Sequence, residues 1–338
     1  MKVAITCDQI IKRGHIHEMV EILLGQYPEA EIFTLAHVQG KVLGPIESRP
    51  IHSSFLSNLV KSIDDLNKYS FLIPSACNKL KISCSFDLVI DMSSGFSHAI
   101  NFCQKSIRKT FIYDWSIPKN GFIAKMFMSA NQNFCQRKLQ DLKYIALSSA
   151  SLKEELGLPH AKVLRPCFNA SEFPFVSECR EFLPGKKDFI AVNADINLNL
   201  AKEISQKLKA SDLSFIFFGA DKHLLKLKKK IGEEYFFGEK CDGELAPFLA
   251  GALATVDFSS DLFPLNSLKS LALGRAVFVV DNLRSRAHFK NKGVSFISPK
   301  LQFEDSLKST PIDQGFREQA LRFPPLKFKS EISAFIAS

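Results

Sequence analysis

The 338-residue chain has a single Trp beside 31 Phe, and it carries none of the compact motifs that announce a chemistry. Gly-x-Ser-x-Gly, the Walker phosphate loop and Gly-x-Gly-x-x-Gly are all missing, which argues against serine hydrolase, P-loop NTPase and dinucleotide-dependent reactions. The eight cysteines (Cys7, Cys77, Cys84, Cys103, Cys135, Cys167, Cys179 and Cys241) include no Cys-x-x-Cys pair. Scattered in this way through a long chain, they read as reduced thiols of a cytoplasmic protein. His15 and His17 have no further ligands in view, so they read as surface loop histidines, and no metal or other cofactor is expected. No apolar run is long enough to span a bilayer. The opening Met1 to Cys7 turns polar too soon for a secretory signal. With no Arg-rich run, zinc-finger spacing or interleaved basic and aromatic motif, nucleic acid is not an expected partner.

What is present is the composition of a globular protein, 46% hydrophobic and 23% charged. Its length exceeds what one hydrophobic core usually serves, so two domains are expected. The net charge of +9 favours anionic partners such as nucleotide phosphates or anionic lipid. Short Val-, Ile- and Phe-rich runs alternate with amphipathic segments, the pattern of a parallel sheet covered by helices on both faces, and the pattern occurs twice. Strands are predicted at Lys2 to Thr6, Glu31 to Leu35, Asp87 to Asp91, Thr110 to Tyr113 and Tyr144 to Leu147. In the second half they fall at Phe189 to Val192, Ser214 to Phe218, Ala254 to Phe258, Ala276 to Val280 and Val294 to Ile297. Predicted helices include Ile16 to Leu24, Phe122 to Gln140, 199 to 209, 221 to 231, 243 to 251, 265 to 273 and a terminal one at Lys327 to Ala337. The segment from Arg165 to Leu183-Pro-Gly has little periodicity and separates an N-terminal domain (1–168) from a C-terminal one (169–319).

One stretch is more specific than the rest. Asp261-Leu-Phe-Pro-Leu-Asn-Ser-Leu-Lys-Ser-Leu-Ala-Leu-Gly-Arg-Ala-Val277 resembles a signature of the retaining GT-B glycosyltransferases of family 4, in which two glutamates stand eight positions apart. Here Asp261 keeps the first acid, Phe263, Ala272, Gly274 and Val277 keep the frame, and Lys269 occupies the second acidic position. The opening Val3-Ala-Ile-Thr-Cys-Asp8, then Arg13-Gly14, is similar to the first strand and glycine loop of that family. Arg49 to Leu56, Phe86 to Asp91, Ala146 to Ser149 and Val163 to Phe173 resemble further segments, so the likeness runs nearly end to end.

The resemblance implies two Rossmann-like domains facing a cleft, with a last helix, about 320–338, returning to the N-terminal domain. It implies transfer of a sugar from a nucleotide diphosphate, the leaving diphosphate being stabilised by positive charge and helix amides without a metal. Donor contacts are then expected from Asp261, Phe263, Leu265, Asn266 and Lys269. The glycine loop is Gly14 and His15, the latter standing for a second glycine, so that its imidazole narrows the approach. Asp114 and Trp115 stand where a branch of the family has a Cys-His-Thr-Pro run, and Asn193, Asn197 and Asn199 lie where it has a basic pair. An ammonium at 269 cannot accept ribose hydroxyls as a carboxylate does. Two functional readings follow: a glycosyltransferase acting on a cell-surface glycan or lipid-linked acceptor, or a non-catalytic relative binding a glycan, nucleotide or protein. The basic, apolar segment Phe122 to Leu139, with Lys105, Arg108 and Lys109 nearby, is a candidate for peripheral contact with the inner face of a membrane.

Overall fold

The structure, a computed structural model, describes residues 1–115, 122–178, 189–193, 214–219, 236–259, 263–290, 292–297 and 310–338, with single positions 203, 206, 225, 228 and 232. Asp261, Asn197 and Asn199 lie outside the described residues. So do the helices expected at 199–209 and 221–231, apart from those single positions. Met1–Cys167 with Pro325–Ser338 forms one compact unit, and Phe168–Pro324 a second.

Among the described residues the first unit has nine strands: β1 Val3–Ile10, β2 Glu31–His37, β3 Ile51–Ser53, β4 Lys81–Ile82, β5 Leu88–Ser93, β6 Asn101–Phe102, β7 Ile107–Ile112, β8 Ile145–Leu147 and β9 Lys162–Val163. Seven make one parallel sheet, ordered β3-β2-β1-β5-β7-β8-β9, and β4 pairs separately with β6. Strand alternation builds two cores. Val3, Ile5 and Cys7 of β1 face a layer holding Met19, Val20, Leu23 and Leu24 of the helix His15–Leu24 and Phe328, Ile332, Phe335 and Ile336 of the helix Pro325–Ala337. Ala4, Phe33, Leu35 and Val89 face the opposite layer, with Ile73, Ala76 and Cys77 of the helix Ile73–Lys79 and Cys135 of the helix Phe122–Gln140. That last helix also packs Met128 and Phe134 on the core, while Met126 is exposed.

One expectation is overturned here. Cys84 and Cys103 are joined by a disulfide, so the eight cysteines are not all reduced thiols. The two follow β4 and β6 closely, and it is the pairing of these two-residue strands that brings them together. Neither spacing nor composition encodes that pairing.

The second unit carries β10 Phe189–Asn193, β11 Ser214–Phe218, β12 Phe236–Gly238, β13 Ala252–Asp257, β14 Ala276–Val280 and β15 Val294–Ile297. All are parallel in the order β12-β11-β10-β13-β14-β15. In both sheets the strand order reverses beside the first strand, at β1/β5 and at β10/β13. Open parallel sheets bind ligands beyond the carboxyl ends of the strands at such points. No helix of the described residues is long and apolar enough to cross a membrane.

Candidate functional site

At the reversal in the second sheet, β10 ends in Asn193 and β13 in Asp257, both buried. Asn193 Nδ2 donates to Asp257 Oδ1 at 3.1 Å, the Ser259 amide donates to the same oxygen at 3.0 Å, and Ser267 Oγ donates to Oδ2 at 2.6 Å. One carboxylate thus ties two strand ends to the helix Leu265–Ala272. Beside it is a depression lined by Asp257, Ser259, Pro264, Ser267, Ser285 and His288. Replacing Asp257 by Ala would take the acceptor of the buried Ser267 hydroxyl and untie the two strand ends, and a loss of about 2 kcal/mol in unfolding free energy is expected. Asp257→Asn should lose less, and urea denaturation of both variants checks the order.

The helix Leu265–Ala272 follows Pro264, its N-cap residue. The Leu265 amide already donates to Phe263 O at 2.9 Å, which leaves Asn266 as the amide to test as an anion contact at this end. Phe263 is buried, packed edge-to-face on His288 and Phe323, and belongs to the core. At the other end Gly274 has φ +83, and a Cβ there would fall 2.5 Å from the Phe175 ring, so the glycine of the motif is required by both conformation and space. Arg275, fully buried, donates to the carbonyls of Ala250, Val176 and Glu178.

Lys269 is not a freely solvated lysine. Its Nζ lies 2.6 Å from Asp242 Oδ1 and 5.6 Å from the centre of the Phe173 ring, with only 13% of the side chain exposed. Asp242 opens the neighbouring helix Asp242–Gly251. The charge reversal at 269 is therefore matched by an acid on the next helix.

In the first unit the reversal is built around Asp8 of β1. Its carboxylate accepts from the amides of Ser94 (2.8 Å), Phe96 (3.2 Å) and Ser97 (2.5 Å), closing the loop that follows β5. Below it lies Asp91, fully buried, which accepts from Thr6 Oγ1 at 2.5 Å and Ser97 Oγ at 2.7 Å and pairs with Arg108 Nη2 at 3.3 Å. Arg108 and Lys109 are thus buried residues of β7, and neither adds charge to the face of the helix Phe122–Gln140, contrary to the sequence expectation. Asp114 Oδ1 accepts from the Trp115 amide at 2.7 Å, and the indole packs against His98, ring centres 5.4 Å apart.

The two histidines of the glycine loop are also corrected. Both are buried in the first turn of the helix His15–Leu24, not on a surface loop. His15 turns inward, Nε2 to the Cys167 carbonyl at 2.5 Å and Nδ1 to Tyr113 Oη at 3.1 Å. His17 Nδ1 accepts from the Gly14 amide at 3.0 Å while Nε2 meets the Gln9 carbonyl at 2.7 Å, which satisfies an otherwise orphaned end of the helix. Among the described residues no three His, Cys, Asp or Glu side chains are grouped to hold a metal ion.

Burial shifts several of these groups, and three of them bear on stability in acid. His98, held between Ser93 Oγ and the Cys135 carbonyl, is lowered from 6.5 to about 4, and His17 is lowered for the same reason. Burial, reinforced by Asp91, raises Asp8 to about 6. As pH falls below 6.5 the unfolded chain takes up protons at both histidines that the folded chain refuses, so stability falls. Asp8 acts in the opposite sense, since the folded state protonates first and gains stability as pH falls from 6. His98 and Asp8 largely offset one another, and His17 adds to the histidine side, so a net loss of stability is expected between neutral pH and pH 4.5. Asp8→Asn should steepen that loss and His98→Gln should flatten it, as read by urea titrations across the range.

No family model and no curated protein matches the sequence. Solved structures do. Anabaena HepE in complex with UDP-glucose is similar over 100% of both chains, at 13% identity and a TM-score of 0.69. The sucrose-phosphate synthase of Thermosynechococcus elongatus is similar over 100% of both, at 10% identity and 0.70. WaaG, a glycosyltransferase of lipopolysaccharide biosynthesis, is similar over 99% of both, at 11% identity and 0.63. The chain has the fold of the GT-B glycosyltransferases. Within this GT-B fold, Asp257, Ser267 and His288 escaped the sequence reading. The one signal for them was an acid closing an apolar strand, Thr255-Val-Asp-Phe-Ser-Ser260.

Proposed function

We propose that this protein is of glycosyltransferase type and takes a nucleoside diphosphate sugar at the carboxyl edge of the second sheet, for transfer to a cell-surface glycan or lipid-linked acceptor. The observation that carries the reading is the full-length likeness to HepE, whose structure holds UDP-glucose. The Asp257 network supports it, because it fixes two strand ends and the start of the helix Leu265–Ala272 into one rigid edge. A diphosphate at that helix end would meet the Asn266 amide and the positive end of the helix dipole, a stabilisation that needs no metal. Asp261 would hold the sugar hydroxyls, as the resemblance implies.

A second reading rests on one specific contact. Lys269, at the position the resemblance gives to a ribose-holding acid, is engaged with Asp242. This favours an accessory, non-catalytic GT-B protein in which the donor pocket is weak or silent. Calorimetry with UDP, GDP, UDP-glucose and GDP-mannose separates the two. Micromolar to millimolar binding supports the first, and no heat with any of them overturns it.

A further inference from the structure

Away from either carboxyl edge, Lys109 of β7, Lys143 in the turn before β8 and Lys162 of β9 converge on two aromatic rings. Lys109 of β7 is only 2% exposed, and its Nζ lies 3.8 Å from the centre of Tyr144 and 5.7 Å from that of Phe335. Lys143, just before β8, lies 5.2 Å from Tyr144, and Lys162 of β9 lies 5.8 Å from Phe335 and donates to Ser338 Oγ at 3.2 Å. Among the described residues no carboxylate pairs with any of the three. Like charges gathered in this way repel one another, and the ring faces, with Ser338 Oγ at Lys162, offset part of the cost.

We propose that Lys109, Lys143 and Lys162 form a binding site for a phosphate-bearing ligand, with Tyr144 and Phe335 as its floor. The charge decides the ligand class. A phosphomonoester or pyrophosphate carries two or more negative charges and several acceptor oxygens, which suits three point-like ammonium donors, whereas one carboxylate leaves the cluster undercompensated. Burial, together with Lys162 and Lys143, lowers the Lys109 pKa, as expected for an ammonium awaiting an anion. The rings offer neither a competing carboxylate nor a bidentate fork, so recognition is by charge and by the width of the triangle. The site belongs entirely to the first unit and does not depend on the donor reading for the second.

Inorganic pyrophosphate is the probe. Amide shifts of Tyr144, Lys162 and Phe335 in 15N spectra follow the cluster directly, and the lysine variants separate them from effects of anything bound within Phe168–Pro324. These shifts should saturate with pyrophosphate. Each of Lys143→Gln and Lys162→Gln should weaken the affinity about tenfold, the worth of one charge-assisted contact. Lys41→Gln, an exposed change of equal charge in the same unit, should have little effect. Absence of shifts, or an equal loss in Lys41→Gln, overturns the proposal. Sedimentation with phosphatidic acid vesicles tells the source of the phosphate. Retention that is lost in the Lys143→Gln/Lys162→Gln variant and displaced by pyrophosphate assigns a lipid headgroup, and retention that ignores both changes counts against the site.

Discussion

Asp91→Ala should destabilise the first unit by about 3–5 kcal/mol, because it strands a buried cation. Arg108 gives Nη1 to Ile100 O at 3.0 Å and Nη2 to Ser97 O at 3.0 Å, and its Nε is buried with no acceptor at all. Asp91 supplies its only counter-charge among the described residues. Removing that carboxylate also takes the acceptor of the Thr6 hydroxyl and leaves Ser97 Oγ only the longer contact of 3.5 Å to Met92 O beneath the loop that Asp8 holds. Asp91→Asn keeps an acceptor and should lose less. The double change Asp91→Leu with Arg108→Met should recover much of the loss, since desolvating an ion pair costs nearly what the pair returns. Trp115 is the chain's only Trp and lies in this unit, so its fluorescence in urea reports the first unit alone. A loss under 1 kcal/mol for Asp91→Ala would mean that water reaches Arg108 and that the cluster is not a dry one.

The same network marks how far the sequence could be read. The longer strands were legible because short runs dominated by Val, Ile and Phe and bounded by polar residues have few alternatives, and Ser214–Phe218, Ala276–Val280 and Val294–Ile297 stand where expected. Strands of two or three residues, such as β3, β9 and β12, carry no period to detect. The short helices Ile63–Lys68, Ala150–Glu155 and Leu283–His288 were missed for the same reason. Polar side chains were read less well than apolar ones. A buried histidine is written identically to a surface one, and only the tertiary contacts of His15 with Tyr113 and the Cys167 carbonyl distinguish them. Lys269 and Asp242 are 27 positions apart, and nothing local to either predicts that their helices meet. Motif comparison could register the reversed charge, but not its partner.

That partner alters what restoring the acid at 269 should do. Lys269→Glu alone sets a carboxylate against Asp242, where the wild-type charges stand 2.6 Å apart, and like charges at such range repel. The single variant should therefore lose stability and gain little affinity for nucleotides. Exchanging the pair, Lys269→Glu with Asp242→Lys, keeps the attraction while putting an acceptor on the helix Leu265–Ala272. If the second unit holds a donor as proposed, two ribose hydroxyls gain a charged acceptor, worth about 3 kcal/mol together, or roughly a hundredfold in UDP affinity. Calorimetry on the wild type, the single variant and the exchanged pair, with uracil as a ligand lacking ribose, tests this directly. The gain should appear for UDP, be absent for uracil, and be much larger in the pair than in Lys269→Glu. Equal, unimproved binding by all three proteins would show that residue 269 does not face the ribose, and the alignment through Asp261 and Lys269 would fall with it. A gain confined to the exchanged pair would instead make the ion pair itself the lesion that separates this chain from a working donor site.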